Sequence, residues 1–265
     1  MRITTILAII FIAILTITSL LPIQITKHAP EELSLQDSLT PPSSSYLFVT
    51  DELGRDISAR VIYGARVSLM ASFGAQIISF VIGISLGLIS GYSKAHWIEN
   101  FFSFLMACFH GFPFLLFVLA ITAALGPGIY KVMVAIGIVN WVGIAKVTQS
   151  EVISHSKKEY VVAARALGCS TFRILFRHIL PNVFPSAMVV LILGFGDVIA
   201  VEAGLSFLGL GVQPPTPSWG KMIFVGKDYI TTAWWMSVFP GIFLVLTILS
   251  FNIIGEALEK RWRMM

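Results

Sequence analysis

Long apolar runs alternate along the chain with short polar ones. Residues 3–21 are apolar and just long enough to span a bilayer, and Pro22 closes the run. Residues 28–45 carry Pro30, Pro41, Pro42 and a run of serines, which predicts an irregular extracytoplasmic loop. Residues 46–69 mix Asp51, Arg55, Asp56 and Arg60 with Ile57, Val61 and Ile62. That mixture predicts a helix lying in the interface and leading into a span. Further spans are predicted over residues 67–90, 98–125, 131–148, 183–201 and 233–254. The third breaks near Gly111 and Pro113, since proline removes a backbone donor. Gly126-Pro127-Gly128 predicts a tight turn, and residues 204–220 are too rich in Gly and Pro for a regular span. The expectation is an all-α polytopic membrane protein with six transmembrane helices. It divides into an N-terminal anchor, loop and interfacial helix over residues 1–66 and a transmembrane domain over 67–265.

Within the second span Gly83, Gly87 and Gly91 repeat every fourth residue. One helix face is therefore small enough to meet another backbone to backbone.

One stretch departs from the apolar pattern. Residues 156–182, SKKEYVVAARALGCSTFRILFRHILPN, are charged and amphipathic between two apolar segments. Ser156 and Glu159 have capping-box spacing, and Gly168 suits the left-handed position that ends a helix. Ser170 and Thr171 offer a cap for a second helix over 172–180, which Pro181 is expected to stop. Ala163 and Ala164 keep a flat surface open to a partner, with Arg165, Arg173 and Arg177 around it. An amphipathic loop lying on the bilayer is the other reading of the same pattern.

This run resembles the cytoplasmic coupling loop of bacterial ATP-binding cassette importers of the binding-protein-dependent kind. The family's Glu-Ala-Ala, three residues, Gly, then Ile-x-Leu-Pro pattern is met by Ala163, Ala164, Gly168, Leu180 and Pro181. Val162 and His178 depart from it. The form Glu-Tyr-Val-x-Ala-Ala-Arg-Ala-Leu-Gly is similar to the peptide and nickel subfamily. So is Thr50-Asp51-x-Leu53-Gly54-Arg55-Asp56 before the second span, and so is Leu205-Ser-Phe-Leu-Gly-Leu-Gly with its Pro-x-x-Trp-Gly ending. The blocks resemble the second of that subfamily's two non-identical permeases. The resemblance implies a coupling loop over residues 150–182 with Glu159, Ala163, Ala164, Arg165 and Gly168 at the ATPase contact. It implies two separate ATPase subunits that bind ATP and Mg, a homologous second permease and an extracytoplasmic substrate-binding protein. This chain itself is expected to bind no cofactor.

Composition narrows the class further. The 265 residues are 56% hydrophobic and 12% charged, against about 25% charged in soluble domains. The net charge of +4 fits basic cytoplasmic loops and does not call for nucleic acid. With both termini inside, eleven of the 18 Lys and Arg fall on the inner side and seven on the outer. Acidic residues offset most of the outer ones, so this orientation in the bacterial inner membrane is the consistent one. Trp219, Trp234 and Trp235 suit an interface. Cys108 and Cys169 predict no disulfide.

No G-x-x-x-x-G-K-[ST] motif occurs, so the chain is not expected to bind ATP or to be an enzyme. Asp197 and Glu202 are the acids inside or at the end of a span, and they sit on different helix faces. Asp197 either faces a translocation path or makes an interhelical hydrogen bond, while Glu202 is placed at the outer interface. His110 is the one histidine within a span, four residues from Met106; too few soft ligands accompany it for a metal site, and it either borders a translocation path or is a satisfied buried histidine. Asp51, Arg55 and Asp56 either line an outer mouth or hold a structural lid by ion pairs. The expected cargo is di- or oligopeptide, with nickel or a metal complex as the alternative. An ion-driven secondary transporter is a further alternative, weakened by the lack of ion-binding acids in repeated halves.

Overall fold

The computed structural model describes residues 3–22, 26, 28–40, 49–93 and 95–263. Arg2, Lys27, Pro41, Pro42, Ser43, Ser44, Ser45, Tyr46, Lys94 and Met265 lie outside them. The helices are α1 (Ile3–Leu20), α2 (Ile57–Tyr92), α3 (His96–Gly111), α4 (Phe114–Leu125) and α5 (Ile129–Val139). Then follow α6 (Trp141–Ser156), α7 (Glu159–Ala166), α8 (Leu180–Phe207), α9 (Trp219–Gly226) and α10 (Trp235–Arg263). Among the described residues five helical runs are long and apolar enough to cross a membrane; α3 with α4, bent by 89°, makes a sixth if taken as one. α1 leans on α2 and α10 and turns Ile3, Leu7 and Ile14 outward, as a lipid-facing helix does.

α2 is the spine. Asp56 caps it, its Oδ1 accepting from the amides of Ser58 at 2.7 Å and Ala59 at 3.4 Å. Among the described residues no separate interfacial helix precedes it. Residues 49–56 form a tight loop, and α2 runs unbroken across the 66/67 division. The glycine stripe lies on α6. A Cβ on Gly83 would sit 2.8 Å from the Trp141 carbonyl, one on Gly87 2.8 Å from the Ala145 carbonyl, and one on Gly91 2.7 Å from the Gln149 carbonyl. Real Cβ atoms do not come that close, so only glycine permits this crossing.

α5 and α6 form one span interrupted at Asn140 (φ −81°, ψ 0°). Such a break frees a carbonyl, and the Ser79 hydroxyl of α2 donates to that of Gly137 at 3.0 Å. The break between α3 and α4 falls at Phe112 and Pro113, where the proline predicted it.

Four local expectations change. Pro181 does not end the helix. A π-helical turn over Ile174–Ile179 leads straight into α8, giving a continuous run Thr171–Phe207. The wider turn accommodates the missing donor, and Asn182 Nδ2 donates to the His178 carbonyl at 2.7 Å. Ser156 is not a capping-box residue. It ends α6 and its hydroxyl donates to Ile153 O at 2.8 Å, so α7 starts from Lys158 with no side-chain cap. Residues 204–207 remain helical before the irregular stretch, and residues 255–263 continue α10 beyond the predicted end of the sixth span at 254.

Trp219 is fully buried, not interfacial. Its Nε1 donates to the Val61 carbonyl at 3.0 Å, and its ring lies against Gly64 of α2. Burial satisfies the indole's donor as well as an interface would. Trp234 does stay exposed.

Candidate functional site

The break between α3 and α4, the start of α6 and the middle of α8 border an open cavity of about 780 Å³. Its wall is mostly apolar, with His110, Gln76, Asn140 and Asp197 as the polar side chains. Asp197 and His110, picked from sequence for a path, face the same space, and both are exposed. Among the described residues no hydrogen bond joins Asp197 to a neighbouring helix. Gln76 and Asn140 were missed, although each interrupts an apolar run. Gln76 Nε2 donates to Leu191 O at 3.1 Å, and Asn140 Nδ2 donates to Gln76 Oε1 at 3.3 Å. The pair ties α2, the α5–α6 bend and α8 together at the back of the cavity. Non-helical backbone at membrane depth is tolerated where it lines such a cavity.

A second open cavity of about 780 Å³ lies further along α8 and shares Val190 with the first. Glu151, His155, Lys158, Asn182, Ser186, Glu259 and Trp262 line it. Ser186 Oγ donates to Glu151 Oε1 at 3.2 Å, Glu151 lies 3.7 Å from His155 Nε2, and His155 Nδ1 meets Tyr160 Oη at 2.6 Å. This chain of contacts links α8 through α6 to α7.

α7 is held at that end of the bundle. Val161 and Ala164 are buried with Leu88, Val152, Ile174, Ile179 and Val183. Gly168 takes φ +78°. Its amide donates to Arg165 O at 3.0 Å, and that of Cys169 donates to Ala164 O at 3.1 Å, the paired bonds of a Schellman end. The two alanines therefore do not share one flat surface. Ala164 packs into this chain's own core, while Ala163 faces out. Arg165 Nη2 donates to Tyr92 Oη at 3.3 Å and so reaches back to the end of α2. Glu159 and Gly168 are exposed. The outward apolar groups are Val162, Leu167 at 85% exposure, and Phe172, which stacks with Phe176 at 4.3 Å between centroids. Sequence reasoning passed over these three, because isolated apolar residues in an amphipathic run read as core.

The opposite end carries the other motif blocks. Asp51 Oδ2 accepts from Arg55 Nε at 2.6 Å and lies 3.5 Å from Arg60 Nε, while Arg55 Nη2 donates to Glu52 at 2.9 Å. Asp51 and Asp56 are buried, and neither they nor Arg55 line the large cavities. Burial and the neighbouring Asp51 carboxylate push the Glu52 carboxyl above its usual range. Glu202 is enclosed by the chain itself. It is 1% exposed, accepting from Ser68 Oγ at 2.9 Å and Ser206 Oγ at 2.8 Å.

Comparison with known proteins accounts for this arrangement. Residues 83–264 match the family model "Binding-protein-dependent transport system inner membrane component". The chain is 40% identical over 253 residues to a dipeptide transport system permease protein DppC of Alkalihalophilus pseudofirmus, covering 94% of this chain and 83% of the relative. It is 37% identical to a di/tripeptide transport system permease protein DppC of Pseudomonas aeruginosa, over 94% of this chain and 84% of that one. Among solved structures, the inward-facing MetNI methionine ABC transporter aligns with TM-score 0.61 at 14% identity, over 77% of this chain and 97% of that chain. An amino acid ABC transporter with histidines aligns with TM-score 0.59 at 18% identity, over 77% and 94%. The chain belongs to the family of binding-protein-dependent transport system inner membrane components, as a multi-pass permease subunit of an ATP-binding cassette importer.

Proposed function

We propose that the chain forms half of a translocation path for di- or oligopeptides. The observation that carries this reading is the open cavity of about 780 Å³ in the apolar bundle, roomy and sparsely polar, in a chain whose relatives are named for peptide transport. Nickel import fits less well. Among the described residues no group of three or more His, Cys, Asp or Glu is placed to hold a metal ion.

The reading has a second homologous permease closing the cavity, two ATPase subunits binding ATP and Mg, and a substrate-binding protein outside. Both termini and α7 are cytoplasmic in it. α7 docks on an ATPase through Val162, Ala163, Leu167 and Phe172, while the Schellman end and the Arg165–Tyr92 contact keep it rigid. A rigid element with two positions is what transmits closure.

The test is reconstitution of the whole assembly in vesicles with liganded binding protein. ATP-dependent uptake of a labelled dipeptide, with no ion gradient, is the expected result. Nickel uptake without dipeptide uptake would reverse the cargo, and uptake that needs an ion gradient instead of ATP would reverse the energy source. A reporter at Ser44 is expected to react with external reagent in intact cells. Its protection would overturn the orientation.

A further inference from the structure

Resting on the peptide reading, we infer that Asp197 is a subsite within the path for the protonated amino terminus of the peptide in transit. Three features of the cavity converge on this. Among the described residues Asp197 is the one carboxylate lining it, no Lys or Arg borders the space, and His110 is the other titratable group. Among the described residues the carboxylate has no hydrogen-bond or ion-pair partner, whereas the other span-end acid, Glu202, is closed off by two serine hydroxyls. A carboxylate at membrane depth is costly unless it meets water or a cation, and this one faces the open cavity, where both can reach it. Asn140 adds a second acceptor. Its amide nitrogen is committed to Gln76, which fixes the flip of the side chain and leaves Oδ1 as the free end.

Acceptors without a competing cation select a donor-rich positive group. A primary ammonium, with three N–H donors, fits one carboxylate and one amide oxygen. A bare metal ion does not, since it would lose water for too few ligands. The peptide's side chains then face the apolar wall of Phe109, Phe112, Val142 and Val190, which makes no demand on their identity. The site therefore recognises what all free peptides share.

The experiment uses the full assembly in proteoliposomes with saturating liganded binding protein, comparing Asp197→Asn and Asp197→Glu. The readout is labelled dipeptide taken up per ATP hydrolysed. Loss of one charge-assisted hydrogen bond predicts a fall of about tenfold in that ratio for Asp197→Asn, largely restored in Asp197→Glu. An unchanged ratio in Asp197→Asn overturns the inference, whether both rates stay normal or fall together as in a merely structural defect. Wild-type uptake that needs added sodium or nickel, with Asp197→Asn indifferent to either, also overturns it by making the cation inorganic. A wild-type assembly that moves no dipeptide at all overturns the peptide reading itself, a result distinct from the other three.

Discussion

The two faces of α6 meet opposite surroundings. One face, Trp141, Ala145, Thr148, Gln149 and Val152, is pressed against the glycines of α2 with no room for a methyl group. The other, Asn140, Gly143 and Val147, opens on the two cavities. The closed face has backbone-to-backbone contact and fixes where α6 sits. The open face has space and few polar atoms, and a path needs both. Close packing and open space are built on one helix, so a substitution's effect depends on the side of α6 it touches.

The comparison breaks most sharply at Gly87. A side chain there meets Thr148 Cβ at 2.5 Å and the Ala145 carbonyl at 2.8 Å, so Gly87→Leu forces the two spans apart. Its cost is expected at or above the top of the roughly 1–3 kcal/mol typical of overpacking. Ile89→Ala is the fitting control, since Ile89 faces out, whereas Leu86 packs against the cluster around Trp141. Equal melting temperatures of the two purified variants would place the glycine face against lipid.

A weaker effect is expected from Ser68→Ala, which leaves buried Glu202 with Ser206 alone. Thermal unfolding should show a loss of about 1–3 kcal/mol, the penalty for stranding a buried polar atom. No change would mean that Glu202 finds another donor. Ser79→Ala removes the hydroxyl that satisfies Gly137 O at the α5–α6 bend, and about 1 kcal/mol is expected. An unaltered melt would show that the freed carbonyl is hydrated from the cavity. Smallest of all in stability is Gly143→Leu on the open face. A Cβ there has only Val190 at 3.8 Å, so the melt should stay within about 0.5 kcal/mol while peptide uptake drops as the cavity fills. Full uptake by this variant would remove the cavity from the path.

Much of the closed face was legible in advance. Three glycines in register have few uses other than close packing, and Pro113 announced the broken span. Several residues of the motif blocks make contacts that hold the chain together. Asp51 and Arg55 brace the loop before α2. Asp56 caps that helix. Glu202 and Ser206 staple α8 to α2. Trp219 and Gly220 wedge α9 against α2 and α8. The open face left a weaker trace. Gln76 and Asn140 are single polar residues in apolar runs, and such residues are as often local hydrogen-bonders as path residues.

By itself the sequence determined the class, the span order and the helix break, because hydropathy and proline act locally and a bilayer permits few alternatives. It also singled out Asp197 by its cost in lipid and His110 as the one histidine within a span. Only the tertiary structure decided which way each side chain faces. Ala163 and Ala164 are neighbours in sequence, and packing of α7 onto Val183 and Ile174 sends one out and the other in. Pro181 sits inside a helix because a π turn and the Asn182 side chain supply what the proline lacks. Asp197 and Glu202, five residues apart, part company because α8 turns one toward the cavity and the other toward two serines. The physical reason is the same in each case: exposure is set by neighbours distant in the chain, and local pattern carries no record of them.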